Sequence, residues 1–341
     1  MAFFCYDFIA NYMKKVVFIG GGVGSSTFTR AAKQLPVELT TIVSTFDDGG
    51  STGAIRRDYR GIALGDFRQC IIASLDLDPK LIEVLNYRFG NGNLFGINIG
   101  NILIRAFLDS HQNQRQAVNR LHKILALSNK VVPVSYDFAK LKAKLSDGRV
   151  LPDQAAIATH FDFLKPTIKS LYLEKNAKIS AEAAKAIKAA DYLIFAPGHF
   201  FTSLLPHLYV DGFASAWKKS KAKKVWFVNL LAHRGQDHFY SLSDYLGWFQ
   251  KKLGIKPFDT IYVNSQISQR LLNKVKQRFS QLKVTKKDLN LLRQLRIEFK
   301  TVDLVSSKLR KQPTNDTVPR APMRHDTDKI SKHLKKLIDA G

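Results

Sequence analysis

Two short segments combine glycines with hydroxyl or acidic residues in a way that could bind a phosphorylated ligand. In the first, the apolar run at residues 16–19 passes directly into Gly20, Gly21 and Gly22, with Gly24 and Ser25 just beyond. Glycines let the backbone turn sharply and approach a phosphate closely, and the first N–H groups of a following helix attract that anion. This segment therefore predicts a phosphate-binding loop ahead of a helix at about residues 27–34.

Asp47 and Asp48 open the second segment, which continues with Gly49, Gly50 and Ser51. A bare carboxylate and a phosphate held ~4 Å apart repel each other by roughly 4 kcal/mol at an effective dielectric constant of about 20. A divalent cation or a ribose between the two groups removes that conflict. We therefore expect the two aspartates to face a bound nucleotide, directly or through Mg²⁺. The alternative is that they only cap a turn.

Polar or glycine-rich turns recur where other apolar runs end. In a doubly wound parallel sheet such turns lie along one edge, and ligands bind at that edge. The convergence of several turns predicts a site built from more than one loop. These turns contribute Gly65, Asp66, Arg68, Gly100, Asn101, Pro197, Gly198, Ser203 and Asn229.

Length and composition fit one large α/β unit. The chain has 341 residues, 45% of them hydrophobic, and its apolar runs alternate with helical patterns. This alternation predicts a three-layer α/β/α fold, with a Rossmann-like, doubly wound, mainly parallel sheet covered on both faces. We divide the chain into an N-terminal extension (1–13), an α/β domain (14–307) with a small insertion at about 129–175, and a linker with a basic C-terminal helix (308–341).

The cysteine content and the apolar segments bear on location. Cys5 and Cys70 are too few for a disulfide framework, which favours a reducing compartment. The apolar first twelve residues contain Asp7 and lack the basic start of a signal peptide. No later stretch reaches the ~20 apolar residues of a membrane span. These features predict a cytoplasmic protein without a membrane span.

Net charge is the one property that favours a different class of partner. The formal charge is +25 and the pI is about 10.0, as in proteins that bind polyanions. More than half of the excess lies after Gln250. Leucines recur there near helical spacing between residues 268 and 300, so we expect the lysines on the solvated faces of amphipathic helices. Nucleic-acid binding is therefore the less favoured interpretation.

Several of these motifs together resemble the CofD/YvcK family. They are the Gly-Gly-Gly-x-Gly loop, the Asp-Asp-Gly-Gly-Ser segment with Gly53 and Arg56, the Gly65-Asp66-x-Arg68 turn, Gly100-Asn101 and the Pro197-Gly198 loop. The resemblance covers residues 14–336. Features at residues 197–206, 220–229 and 324–326 resemble the branch of gluconeogenesis factors more than the branch of 2-phospholactate transferases.

The resemblance implies a regulatory protein that binds a nucleotide sugar such as UDP-N-acetylglucosamine and supports cell shape and growth on gluconeogenic carbon. A phospholactate-type transferase acting on a nucleotide-linked substrate is the alternative. Ile97 stands where the family usually has histidine, and Gln236 where it has glutamate. Because neither residue transfers a proton as those would, any enzymatic activity is in doubt and no catalytic residue is assigned.

The resemblance adds Arg56 to the candidate phosphate-binding residues. Expected partners are a nucleotide sugar and proteins of cell-envelope synthesis, and the formation of a homodimer is left open. Mg²⁺ is the only cofactor considered, with Asp47 and Asp48 as its ligands. The complete candidate set is Gly20, Gly21, Gly22, Gly24, Ser25, Asp47, Asp48, Gly49, Gly50, Ser51, Arg56, Gly65, Asp66, Arg68, Gly100, Asn101, Pro197, Gly198, Ser203 and Asn229.

Overall fold

The computed structural model describes residues 13–160, 167–233, 240–265, 267–310, 314–316 and 321–340. The expectations for residues 1–12 and for Gln236 lie outside these ranges. The strands of the described part are β1 (Lys14–Gly20), β2 (Val37–Val43), β3 (Lys130–Pro133), β4 (Leu141–Leu145), β5 (Val150–Leu151), β6 (Ile168–Leu173), β7 (Tyr192–Phe195), β8 (Lys223–Phe227), β9 (Leu231–His233), β10 (Thr260–Asn264), β11 (Phe279–Gln281) and β12 (Glu298–Val302).

The helices pack around these strands. They are α1 (Gly22–Ala32), α2 (Gly50–Asp58), α3 (Leu64–Ser74), α4 (Pro79–Asn86), α5 (Ile99–Asp109), α6 (Gln114–Ile124), α7 (Gln154–Thr159), α8 (Ala181–Ala189), α9 (Phe213–Lys219), α10 (Leu242–Leu253), α11 (Gln269–Asn273), α12 (Lys286–Gln294) and α13 (Thr327–Asp339). Shorter helical turns occur at Gly92–Leu94, Phe200–Leu204 and Leu205–Tyr209.

The central sheet contains seven strands in the order β12-β10-β8-β7-β1-β2-β3, and all neighbouring strands are parallel. From β1 the chain winds outward through β2 to β3. It then returns to β7, on the other side of β1, and winds through β8 and β10 to β12. The winding direction therefore reverses between β1 and β7, which is where a doubly wound sheet opens a crevice for ligands.

Both faces of the sheet are buried in separate apolar cores. Val17 and Ile19 belong to one core, whereas Val16 and Phe18 belong to the other, because successive side chains of a strand point to opposite faces. Helices α8, α9 and α10 contribute to the first core, and α1 and α13 contribute to the second. The α/β fold class predicted from the sequence is confirmed.

Helix α1 begins earlier than the sequence predicts. It starts at Gly22 directly after the N-cap Gly21, so Gly22 and Gly24 form its first turn instead of a separate loop. Its buried residue Phe28 lies in the same core as Ile330 and Leu334 of α13. The predicted C-terminal helix therefore covers the glycine-rich helix.

A small antiparallel sheet, with the order β5-β4-β6, lies between β3 and β7 along the chain. It falls within residues 129–175, and the division of the chain into domains stays a prediction. The amphipathic helices expected between residues 268 and 300 account for only part of that segment. The segment contains α11 and α12 but also β11 and β12, so Phe279 lies on a strand. Among the described residues, no helix is long and apolar enough to cross a membrane.

Candidate functional site

A cleft opens at the carboxyl ends of β1 and β7, where the winding direction of the sheet reverses. Five of the predicted turns meet there. Of the candidate residues, the cleft is lined by Gly21, Gly22, Gly24, Asp47, Gly49, Ser51, Gly65, Asp66, Arg68, Pro197, Gly198, Ser203 and Asn229. The structure thus brings together residues that are up to two hundred positions apart in the sequence.

The N-terminus of α1 faces this cleft. Gly21 caps the helix without a side-chain hydrogen bond, and the first turn contains no acidic residue. The first N–H groups of a helix have no partner within the helix, and the helix dipole adds positive potential at that end. Gly22 adopts a φ of 63°, in the left-handed region that favours glycine. This end of α1 attracts an anionic group, and the Asp66 carboxylate of α3 already lies beside Gly21 and Gly22.

Gly24 has a packing role in addition. A Cβ atom at this position would lie 1.8 Å from the carbonyl oxygen of Pro197. The loop after β7 therefore rests directly on the first turn of α1. Asn229, after β8, fixes the same loop because its side chain accepts from Gly198 N at 3.0 Å and donates to Gly198 O at 2.7 Å. The ends of β1, β7 and β8 are thereby joined into one wall of the cleft.

The two adjacent aspartates point in different directions. Asp47 lines the cleft, and its Oδ1 accepts from Gly49 N at 3.0 Å. The Asp48 carboxylate instead accepts from Ala155 N at 2.8 Å and Gln154 N at 3.4 Å, at the start of α7. Burial raises the pKa of Asp48 to about 6, and the neighbouring Asp153 and Asp47 carboxylates add to this shift. Asp48 therefore fastens α7 to the second glycine segment.

This divergence bears on the expected Mg²⁺ site. The pair does not present two carboxylates to the cleft, and in the described part of the chain no group of three or more His, Cys, Asp or Glu residues is placed to hold a metal ion. Because the Asp48 carboxylate is turned to α7, only Asp47 of the pair lines the cleft, and Asp47 and Asp48 as joint Mg²⁺ ligands stay a prediction.

Arg56 is also displaced from the cleft. Its guanidinium donates to Asp47 O at 2.8 Å and Ala139 O at 3.3 Å, and it lies over the Phe138 ring. The side chain is buried, and burial lowers its pKa despite the nearby Asp48 and Asp47 carboxylates. Arg56 thus braces the backbone of the aspartate segment from behind instead of neutralising a phosphate, as the sequence had suggested.

Arg68 lines the cleft and is held in place by three acceptors. It donates to Asn101 Oδ1 at 2.9 Å, Asn86 Oδ1 at 2.6 Å and Leu85 O at 3.3 Å. Asn101 in turn donates to Ser51 Oγ at 3.1 Å. Asn101 therefore lies behind the cleft and orients two residues that line it.

Asp66 lies against the glycine loop. A Cβ atom at Gly21 would come within 2.0 Å of Asp66 Oδ2, so glycine is needed there for the carboxylate to approach. The remaining candidates outside the lining are Gly20, Ser25, Gly50 and Gly100. Gly20 ends β1 beside Ser25, Gly50 turns with a φ of 50°, and Gly100 leaves room for the Arg68 side chain. Their positions shape the loops without reaching the cleft.

The structure adds cleft residues that were not in the candidate set. Most come from segments that are distant along the chain, and several are cationic or aromatic. They include Val23, Thr27, Thr52, Gln69, Arg88, Gln154, His199, Thr202, Leu231, His233, Met323, Arg324 and His325. Residues 321–325 reach the cleft because His325 forms a bridge with Val305 and Asp326 N donates to Leu304 O at 2.8 Å.

The histidines of this cleft differ from ordinary surface histidines. His199 Nδ1 and Thr202 Oγ1 share a hydrogen bond of 2.8 Å, and the His199 and His233 rings lie 4.7 Å apart. Burial lowers the pKa of His233 to about 4, so this ring is neutral at pH 7. Arg68, Arg88 and Arg324 contribute cationic groups to the cleft, of which Arg88 is paired with Asp316 at 3.6 Å, and Asp47 and Asp66 contribute carboxylates.

Comparison with known proteins agrees with this geometry. A family model described as 2-phospho-L-lactate transferase CofD matches residues 16–305. The gluconeogenesis factor of Halalkalibacterium halodurans is 32% identical over 255 residues, which are 74% of this chain and 78% of that protein. The gluconeogenesis factor of Bacillus subtilis is 29% identical and aligns with 95% of this chain and 98% of its own length.

A crystal structure of a UPF0052 family member from Bacillus halodurans has the same fold. It superimposes with a TM-score of 0.84 at 28% sequence identity, and the match covers 95% of this chain and 99% of that chain. The α/β fold of this chain is therefore shared with that protein. On the extent of these matches, the chain belongs to the CofD family and resembles its gluconeogenesis factors.

Proposed function

We propose that this protein is a regulatory protein that binds a nucleotide sugar of the UDP-N-acetylglucosamine kind in the cleft between β1 and β7. The observation that supports this most strongly is the N-terminus of α1, which opens into the cleft with no acidic residue in its first turn. A diphosphate placed there contacts backbone N–H groups and the positive end of the helix.

The charged groups around that position divide between two tasks. Arg68 and Arg324 supply positive charge that complements a diphosphate, whereas Arg88 is paired with Asp316 at 3.6 Å. Asp47 and Asp66 accept hydrogen bonds, and the hydroxyl groups of a ribose or a hexose are suitable donors. A ligand that joins a diphosphate to hydroxyl-rich rings satisfies both sets of residues, whereas inorganic phosphate satisfies only the first.

A residue that cannot transfer protons stands where the family usually has histidine. This favours regulation over catalysis. Ile97 cannot exchange a proton. By analogy with the gluconeogenesis factors, we propose a role in cell shape and in growth on gluconeogenic carbon, exerted in the cytoplasm through proteins of cell-envelope synthesis.

A transferase of phosphate-linked groups is the second candidate, because the matching family model carries that description. The two candidates are separated by incubating the protein with UDP-N-acetylglucosamine, or with a phospholactate donor and a deazaflavin acceptor, in the presence of Mg²⁺. Mass spectrometry should find the ligand unchanged after hours. A transferred or cleaved product formed in amounts above the protein concentration would support the transferase.

Binding itself is tested by thermal and urea unfolding with and without UDP-N-acetylglucosamine. A ligand present at about 100 times its dissociation constant stabilises the folded state by roughly 2.7 kcal/mol. We expect this stabilisation with the UDP-sugar and a smaller effect with uridine, which lacks the diphosphate. Equal effects of the two compounds would argue against a diphosphate at α1.

A further inference from the structure

A cluster of lysines surrounds one exposed isoleucine at the edge of the sheet that lies opposite the cleft. It belongs to two segments: the end of α9 with the loop into β8, and the end of α10 with the loop into β10. Residues 213–224 and 250–260 together contain eight lysines and one carboxylate, that of Asp259. We call the exposed lysines and the isoleucine of these segments the basic edge: Lys218, Lys219, Lys221, Lys251, Lys252, Ile255 and Lys256.

The two segments lie side by side. Asp259 N donates to Lys224 O at 2.7 Å, and Lys224 N donates to Asp259 Oδ2 at 2.9 Å, at the start of the paired strands β8 and β10. A Cβ atom at Gly254 would lie 4.0 Å from Cε of Lys218. Lysines that are distant in the sequence therefore share one surface.

The loop between α10 and β10 holds Ile255 outward. Ile255 is 76% exposed, more than any other large hydrophobic side chain among the described residues. Gln250 Nε2 donates to Ile255 O at 2.7 Å, Gly254 turns with a φ of 98°, and Phe258 is fully buried just beyond. Because the backbone of this loop is already fixed, covering Ile255 costs little conformational entropy.

Two carboxylates lie beside the basic edge, and both are paired. Asp259 forms an ion pair with Lys256 at 3.5 Å. Glu298, whose N–H donates to Asp259 O at 2.9 Å, forms an ion pair with Lys300 at 3.0 Å. When Asp259 is set against Lys256, five exposed lysines of the basic edge remain to attract an anionic partner.

We propose that the basic edge docks this protein on the surface of a membrane that contains anionic phospholipid. Clusters of roughly four to eight lysines or arginines bind anionic headgroups, and an apolar side chain among them enters the boundary with the acyl chains. Nucleic acid fits this surface less well. Its bases stack on aromatic rings, whereas the basic edge presents an aliphatic side chain.

Docking at this position leaves the cleft open. The basic edge lies just ahead of β8 and β10, whereas the cleft lies at the carboxyl ends of β1 and β7 in the same parallel sheet. A docked molecule therefore turns its cleft away from the membrane and toward the solution. Docking is thus independent of the ligand that the cleft binds.

Co-sedimentation of the full-length protein with vesicles tests the proposal. We expect binding to vesicles of phosphatidylcholine mixed with phosphatidylglycerol, little binding to phosphatidylcholine alone, and weaker binding as salt is raised. Lys218→Gln, Lys251→Gln and Lys252→Gln combined should weaken binding about a hundredfold, because each lysine near an anionic surface strengthens binding about fivefold.

The matched control removes the same charge from the other edge of the sheet. Lys140→Gln, Lys144→Gln and Lys175→Gln combined change exposed lysines in and beside the small antiparallel sheet, and this variant should bind nearly as the wild type does. Ile255→Ser should weaken binding about tenfold because it removes the buried apolar contact. Val150→Ser, at a side chain that is 49% exposed on β5, should have little effect.

Circular dichroism should show that all these variants unfold at nearly the wild-type temperature, because the changed side chains are exposed. A wild type that does not bind anionic vesicles would overturn the proposal. Equal binding by the two triple variants would do the same, since net charge alone would then explain the attraction. Tight binding of duplex DNA through Lys218, Lys251 and Lys252, with no effect of Ile255→Ser, would assign the basic edge to nucleic acid instead.

Discussion

At the scale of single residues, neighbours in the sequence perform different tasks in the structure. Asp47 lines the cleft while the Asp48 carboxylate accepts from the first N–H groups of α7, and Arg68 lines the cleft while Arg56 supports the loop behind it. The residue types and their spacing predicted that these groups belong to one region. They could not predict which of them reach the ligand, because that depends on where a helix from a distant segment, α7, docks.

The pH dependence of stability tests the assignment of Asp48 as a cap. Its pKa in the folded protein, about 6, lies above the ordinary value of 3.8. The folded state therefore binds a proton more readily than the unfolded chain between these values, and this residue makes the free energy of unfolding fall as pH rises from about 4 to about 6. Above about pH 6 its effect is constant.

Asp48→Asn keeps a side-chain acceptor for Ala155 N but cannot ionise. We expect the stability of this variant, relative to the wild type, to increase as the pH is raised from 4 to 7 in urea unfolding experiments. Asp48→Ala removes the acceptor as well and should cost about 0.5–2 kcal/mol relative to the Asn variant. A difference between Asp48→Asn and the wild type that is the same at every pH would contradict a desolvated Asp48 carboxylate.

At the scale of elements, the strand ends were predictable and the elements that close the cleft were not. Glycines and polar residues after β1, β7 and β8 follow short apolar runs, and parallel strands place such turns on one edge. Residues 321–325 gave no such signal. They reach the cleft because His325 pairs with Val305, just after β12, before the chain enters α13, and local sequence patterns do not encode this contact.

Helix α13 is expected to stabilise the glycine-rich helix on which it packs. Leu334 is fully buried in the core that also contains Phe28 of α1. Leu334→Ala should lower the free energy of unfolding by about 2–5 kcal/mol because it leaves a cavity in that core. Lys335→Ala, which changes the exposed neighbour, serves as the control and should be nearly neutral in the same urea titration. Comparable losses in both variants would show that α13 does not pack as described.

At the scale of the whole molecule, the high net charge and the cleft are separate features. More than half of the net charge of +25 lies after Gln250, whereas the residues that line the cleft include carboxylates as well as arginines. The fold class followed from the alternation of apolar runs and helical patterns. The binding partner could not be predicted from the sequence, because net charge describes attraction to any polyanion and carries no information about its shape.

Binding to nucleic acid should therefore be weak, dependent on salt and independent of the cleft. We expect the affinity for duplex DNA to fall steeply between 50 mM and 200 mM salt, as counterion release predicts. Saturating UDP-N-acetylglucosamine should leave that affinity unchanged in fluorescence anisotropy. Competition between the DNA and the UDP-sugar would instead indicate that nucleic acid is the ligand of the cleft.

The central claim is that a ligand diphosphate lies at the N-terminus of α1. It can be tested at the second residue of that helix. Val23 is half-buried, lines the cleft and belongs to the first turn. An aspartate in the first turn is favourable for the helix itself by about 0.3–1 kcal/mol. Val23→Asp therefore places a negative charge at the proposed diphosphate position, near the Asp66 carboxylate, and Val23→Asn has the same shape without the charge. Urea unfolding of both unliganded variants checks that the fold is kept.

The most direct measurement is calorimetric titration of these two variants with UDP-N-acetylglucosamine. A carboxylate ~4 Å from a phosphate opposes binding by roughly 4 kcal/mol at an effective dielectric constant of about 20. We expect Val23→Asn to bind nearly as tightly as the wild type and Val23→Asp to bind at least about a hundredfold more weakly, a difference of about 2.7 kcal/mol. Equal affinities of the Asp and Asn variants would contradict a diphosphate at this helix.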